Sequence, residues 1–283
     1  MVTIEQAMPL RRNPLIDVVQ SVTLSTRVTL PYVEQGDPSG VPVVLLHGIT
    51  DSWRSFEPVL PYLPPSIRAF ALTQRGHGDA DRPADGYHPR DFAADVAAFL
   101  DSQGLASAVI AGHSMGSAVA LRFALDYPER IHGLVPMGTF VRYRTNPVLE
   151  EFWESVVACL ADPIAERVAR EFQESTLARP IAPWFLETAI AESLKVPARV
   201  WRDGFAGLFE DEHVARLGEI AAPTLLVWGD QDAFVPASDQ ETLLATIAGA
   251  RLQVYRGAGH AIHWEEPARF AADLVAFVER LEG

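Results

Sequence analysis

The chain of 283 residues contains one cysteine, Cys159, and one lysine, Lys195. A lone cysteine closes no disulfide within the chain and cannot build a cysteine-rich zinc site, so the reading is of a cytoplasmic protein held by its core. With a single lysine, arginine carries almost all the positive charge, a bias read as codon composition. Positive charge is short overall: 23 basic against 37 acidic residues leave a net charge of −14. That balance opposes contact with phosphate backbones and anionic lipid, and excludes nucleic acid as an expected partner. No apolar run approaches the roughly 18 residues of a membrane span. The N-terminus has no basic start leading into an apolar stretch, and Asn13, Pro14 and Asp17 interrupt the segment after Arg11-Arg12, so no export signal is read there. The first twenty residues are taken as a surface extension. Repeats and low-complexity tracts are lacking too. The remaining composition, 48% hydrophobic and 21% charged, is that of a globular chain long enough to bury a sizeable core.

That core is written as short apolar runs separated by glycine and proline. Segments 22–30 and 31–35 alternate and are rich in β-formers, and 41–46 is a continuous apolar run ending at His47-Gly48. Further short runs lie at 67–73, 107–111, 131–137, 223–228 and 251–255, most of them leading into helical apolar spacing. Strand alternating with helix predicts an α/β fold with a mostly parallel, doubly wound sheet of about eight strands. One helix is expected from Asp91 to Gly104, with Phe92, Val96, Phe99 and Leu100 on one face, and another over 267–281, with Phe270, Leu274, Phe277 and Val278.

Between residues 143 and 217 the β signals vanish, and short helices are broken by Pro163, Pro180, Pro183, Pro197 and Gly204. This stretch is read as a helical cap inserted into a core formed by 1–142 and 218–283. It is rich in large apolar side chains, among them Phe152, Trp153, Phe172, Trp184, Phe185, Trp201, Phe205 and Phe209. Some are expected to line a substrate pocket and others to pack the cap onto the core. Trp53, Phe140 and Trp184 are the residues assigned to that pocket. Arg199 and Arg202, flanking Trp201, are read as a solvated helix face rather than a carboxylate clamp.

Chemistry is concentrated at Gly112-His113-Ser114-Met115-Gly116, a G-x-S-x-G that joins a buried strand directly to a helix. A chain that turns from strand to helix within one residue strains that residue, and glycines are needed two positions either side because a β-carbon would collide. Such a turn lifts the Ser114 hydroxyl clear of the sheet. It also aims the first NH groups of the helix at whatever bonds to the serine, and Met115 NH is the expected oxyanion donor. A serine hydroxyl is a poor nucleophile without a base, and the base needs a carboxylate to fix its tautomer. Downstream, a buried strand ends at Gly229-Asp230-Gln231-Asp232, and the next strand leads into Gly257-Ala258-Gly259-His260, with His263 three residues on.

The order Ser114, acidic loop, His260, with His47-Gly48 after an early strand, resembles the α/β-hydrolase fold family over about residues 22–142 and 218–281. The resemblance implies Ser114 as nucleophile, His260 rather than His263 as base, and Asp232 rather than Asp230 as orienting carboxylate. It further implies Ile49, the residue after His47-Gly48, as second backbone oxyanion donor. His47 and His113 are then structural or pocket-lining, and His77, in Arg75-Gly76-His77-Gly78, belongs to a structural turn. A serine nucleophile argues against family members that need a carboxylate there. The resemblance implies hydrolysis of a small to medium carboxylic ester or lactone, with an apolar or aromatic acyl part, through an acyl-enzyme that needs no metal or organic cofactor. Thioester, amide or C–C hydrolysis and perhydrolysis use the same triad, and a slow-turnover small-molecule receptor is the alternative of a different class.

Overall fold

The computed structural model describes residues 18–283, and most of the N-terminal extension expected from sequence lies outside the described residues. Eight strands form one sheet: β1 Gln20–Thr23, β2 Thr29–Gln35, β3 Val41–Leu46, β4 Ile67–Leu72, β5 Ala108–His113, β6 Ile131–Met137, β7 Leu225–Gly229 and β8 Arg251–Tyr255. Their spatial order is β1-β2-β4-β3-β5-β6-β7-β8. β2 runs antiparallel to both β1 and β4, and the remaining neighbours are parallel. The segment 22–30, expected as one strand, is divided by a turn in which Arg27 adopts φ 63° and donates its NH to Leu24 O. A residue in the left-handed region cannot continue a strand, so the alternation there spans two strands.

The apolar runs are continuous because both faces of the sheet are covered. Within β3, Val44 and Leu46 pack into one core, and Val43 and Leu45 into the other. β4 divides in the same way, Phe70 and Leu72 against Ala69 and Ala71, as the two-residue period of a strand requires. Helices α1 Pro89–Ser102 and α2 Met115–Asp126 cover the first face. α1 starts at Pro89 behind a capping box in which the His88 ring accepts from Arg90 NH and the Asp91 carboxylate accepts from His88 NH, and Gly104 at φ +65° lies just past its end.

Four helices, α3 Pro147–Ser155, α4 Glu166–Ser175, α5 Pro183–Leu194 and α6 Ala198–Glu210, come after β6 before the chain returns to the sheet at β7. The remainder are α7 Ala237–Thr246, the short α8 Ile262–Glu265 and α9 Pro267–Glu282, whose Phe270, Leu274 and Phe277 pack on the second face. Among the described residues no helix is long and apolar enough to cross a membrane.

Candidate active site

Because β3, β5, β7 and β8 run parallel, their carboxyl ends lie along one edge of the sheet, where open α/β sheets bind ligands. Each end carries one element of the site. At the end of β5, Ser114 has φ 53° and ψ −115°, a strained conformation for a residue with a side chain. Its surroundings hold it there: Ser114 N donates to Met137 O at 2.9 Å, and Ser114 O accepts from Ser117 Oγ at 2.6 Å. The flanking glycines are obligatory. A Cβ on Gly112 would stand 2.0 Å from Gly116 O, and one on Gly116 would stand 2.3 Å from Leu46 O. α2 starts at Met115, and among the described residues no acceptor takes the NH of Met115 or of Ile49. Both donors are free, as an oxyanion hole needs.

The loop after β7 carries Asp232, whose side chain is wholly buried. Its Oδ1 accepts from the backbone NH groups of Phe234 at 2.8 Å and Val235 at 3.0 Å, which fixes the carboxylate, and Oδ2 lies 2.7 Å from His260 Nδ1. Since a carboxylate accepts, Nδ1 carries the proton and Nε2 is left as the basic nitrogen. Asp230, the other acid of this loop, turns away and accepts from Gly257 NH at 2.5 Å. His263 is buried behind the site, where its Nε2 meets Ser55 Oγ at 2.9 Å and burial lowers its pKa to about 3. Of the two acids and two histidines, the structure brings together Asp232 and His260.

Ser114 and His260 open onto one cavity. The floor is Gly48, Ile49, Asp51 and His113, and Phe140, Phe234 and Trp264 stand around it. The α3–α6 segment supplies the roof through Leu149 and Phe152 of α3, Phe172 and Gln173 of α4, and Phe205 and Leu208 of α6. Among the described residues no lysine or arginine lines it.

The expected pocket residues divide. Phe140 lines the cavity; Trp53 and Trp184 do not. Trp53 sits in a short helical turn after β3 and is buried in the core on the α9 side of the sheet, with the Arg54 guanidinium 4.6 Å from its ring centroid. Trp184 packs edge-on against Phe185 in a separate small cluster at the start of α5. Arg199 and Arg202 also lie away from the cavity; Arg199 donates to the carbonyls of Arg82 and Pro83, and Arg202 to Leu160 O. His47 is fully buried, donating from Nδ1 to Gly48 O at 2.7 Å and accepting Gln74 NH at Nε2. His77 donates to Arg75 O at 2.7 Å, and both rings serve the loop structure.

One element of the floor leaves no mark in the sequence. Asp51 is 4% exposed and lines the cavity, with Oδ1 accepting from Gln173 Nε2 at 2.9 Å and Oδ2 from Ser55 Oγ at 3.3 Å. Burial pushes its pKa up to about 7, against the pull of the Gln173 and Ser55 bonds. Its neighbour Thr50 has φ 72°, an outlier for a β-branched residue, and its Oγ1 meets Ser193 Oγ at 3.0 Å and Gln173 Nε2 at 3.3 Å. The turn after Ile49 is therefore held by side chains from α4 and α5.

Comparison with known proteins agrees with this fold. A family model described as alpha/beta hydrolase fold matches residues 41–267. The chain is 31% identical over 247 residues to a 2-hydroxymuconate semialdehyde hydrolase of Pseudomonas sp. (strain CF600), covering 83% of this chain and 85% of that protein. It is 29% identical over 280 residues to a non-heme chloroperoxidase of Streptomyces lividans, covering 92% and 99%. Among solved structures, the esterase RhEst1 from Rhodococcus sp. ECU1013 superposes with a TM-score of 0.80 at 25% identity, covering 93% of this chain and 99% of that one.

Proposed function

This chain belongs to the α/β hydrolase fold family, and from that premise we propose that it is a serine hydrolase cleaving an uncharged carboxylic ester or lactone of small to medium size with an apolar or aromatic acyl part. The observation that carries the reading is the cavity lined by the strained Ser114, the Asp232-bonded His260 and Ile49, with the unengaged NH of Met115 next in the chain to Ser114. His260 Nε2 takes the Ser114 proton as Oγ attacks the acyl carbon. The NH groups of Ile49 and Met115 hold the oxyanion, and His260 returns the proton to the leaving alcohol. Water, deprotonated by the same nitrogen, then releases the acid from Ser114. Asp232 keeps the imidazole in the required tautomer and stabilises its charged form. Among the described residues Ser114 Oγ has no hydrogen-bond partner, consistent with a nucleophile–base bond that tightens when substrate binds. Residues 143–217 act in this reading as a cap that excludes water.

One feature favours an uncharged substrate: among the described residues the lining has no lysine or arginine to pair with an anionic group. C–C bond hydrolysis is the second reading, favoured by the 31% relative named for a semialdehyde rather than an ester. The test is hydrolysis of phenyl esters of increasing acyl length, with both products counted, beside Ser114→Ala. Many turnovers per chain, lost in the variant by at least about 10³-fold, support the reading. One slow event per chain overturns it in favour of a receptor. Unreactive esters with turnover of 2-hydroxymuconate semialdehyde overturn it in favour of C–C cleavage.

A further inference from the structure

At the floor of the cavity two polar groups converge on a space to which the ester chemistry gives no role. His113 is 3% exposed, and its Nε2 lies 3.1 Å from His260 O. A carbonyl only accepts, so Nε2 carries the proton, and Nδ1 of the neutral ring is an acceptor. Burial drives the pKa of His113 well below its ordinary value, helped by the neighbouring histidines, so the ring stays neutral. Nδ1 is buried without a hydrogen-bond partner among the described residues. Across from it, Asp51 Oδ2 makes a long 3.3 Å contact with Ser55 Oγ, and the backbone NH of Gly48 also faces this carboxyl. Gly48 lies between them: a Cβ there would stand 3.0 Å from His113 Nδ1 and 3.2 Å from Asp51 Oδ2. Both atoms therefore lie against Gly48, where a side chain would crowd them. All three residues line the cavity next to Ser114 and Ile49.

A buried acceptor without a partner costs about 1–3 kcal/mol, so an occupant that satisfies it is selected strongly. The occupant must donate, which excludes a ketone, an ether and a carboxylate. It must also be small and meet a carboxyl oxygen, and the surrounding walls are apolar: Phe140, Leu149, Phe152, Phe172 and Phe205.

We infer that this corner is a hydroxyl subsite, and that the preferred substrates are esters or lactones of 2- or 3-hydroxy acids, whose O–H donates to His113 Nδ1 while its oxygen accepts from the O–H of the Asp51 carboxyl. The assignment to the acyl side comes from position, since Gly48 directly precedes the proposed oxyanion donor Ile49 and His113 directly precedes Ser114. It rests on the serine-hydrolase reading and adds its substrate class.

The experiment compares kcat/KM for phenyl butanoate, its 2-hydroxy and 3-hydroxy derivatives and the 2-methoxy ester, which matches the electronic effect of the hydroxyl but donates nothing. A 2-amino ester tests whether any small donor suffices. For the natural protein, at least one hydroxy ester should exceed the methoxy ester by about tenfold or more, the discrimination expected when a buried polar atom would otherwise be left unpaired. In His113→Phe, which keeps the ring and removes the acceptor, that ratio should fall to about one, and Asp51→Ala should lower it independently of the His113–His260 contact. Plain butanoate hydrolysis that is lost in Ser114→Ala, with hydroxy and methoxy esters cleaved equally by the natural protein, overturns the subsite alone and assigns the corner to water. A preference for the amino ester over both hydroxy esters overturns the hydroxyl assignment. Failure to cleave any ester overturns the serine-esterase reading and the subsite with it.

Discussion

Asp51→Asn tests the electrostatics of the cavity floor without touching the nucleophile, base or acid. Unfolded, the Asp51 carboxyl titrates near its ordinary 3.8, whereas burial raises it to about 7 in the folded protein. Between these values the folded state binds more protons than the unfolded state. The stability contributed by protonated Asp51 is therefore fully present below pH ~4 and lost as pH rises through about 7. At about 1.4 kcal/mol per pKa unit, the gap makes ionised Asp51 a burden of about 4 kcal/mol above neutrality. Asparagine has the shape of the neutral acid: its oxygen can accept from Gln173 and its amide can donate to Ser55 Oγ. Urea unfolding of both proteins at pH 5 and pH 8 should show the variant gaining on the natural protein by roughly 2–3 kcal/mol between the two. The other titrating groups, including the buried histidines, are common to both and cancel in the difference. A stability difference that stays constant across this range would refute the reasoning, because it would mean that Asp51 remains ionised throughout.

Gly116→Ala places a Cβ 2.3 Å from Leu46 O, where neither backbone can yield, and should either prevent folding or cost more than about 3 kcal/mol in urea unfolding. Arg75→Ala removes the charged partner of Asp95, which is 3% exposed and accepts two 2.7 Å bonds from the guanidinium, leaving it only the Thr26 hydroxyl at 2.6 Å among the described residues; the buried carboxylate left uncompensated should lower stability by about 3 kcal/mol at pH 7. Gln173→Leu takes the α4 donor away from Thr50, Asp51 and Ser193, and releasing the strained turn beside Ile49 should lower kcat about tenfold while KM changes little. Phe205→Ala, by deepening the apolar roof, should move the optimum of the phenyl ester series to longer acyl chains, and an unchanged optimum would place the acyl group elsewhere.

How much of the molecule is legible in the sequence depends on what fixes each feature. The strand and helix order is readable because a sheet covered on both faces writes continuous apolar runs, as at 41–46, and such runs stand out against the spacing of the intervening helices. The turn at Ser114 is readable because its constraint is steric and acts on backbone: with 2.0 Å between a Gly112 Cβ and Gly116 O, no other residue fits. The division of 22–30 into two strands is not, since the left-handed Arg27 has no glycine or asparagine to announce it. Pocket lining is harder to read, because it depends on which face of each helix turns inward. Phe172 and Trp184 look alike in the sequence, yet α4 points Phe172 into the cavity while the first turn of α5 packs Trp184 on Phe185.

Asp51 shows why the floor is the least legible part. An aspartate four residues past His47, in a loop between strand and helical turn, reads by default as a solvated turn residue. Only the arrival of Gln173 from a helix 122 positions away, and of Ser55 behind it, reveals that the carboxyl is enclosed. A group held at that cost to folding invites a functional account, because an alanine or asparagine at position 51 would fold more cheaply at neutral pH. The oxygen of a hydroxyl ligand supplies such an account. Accepting from the protonated Asp51 carboxyl and donating to His113 Nδ1, it would give the carboxyl a partner and the imidazole a donor at one stroke, so the cavity should be most stable when the preferred product is bound. A hydroxy acid product that raises Tm more in the natural protein than in His113→Phe would carry that signature, and equal shifts would assign the burial of Asp51 to the turn alone.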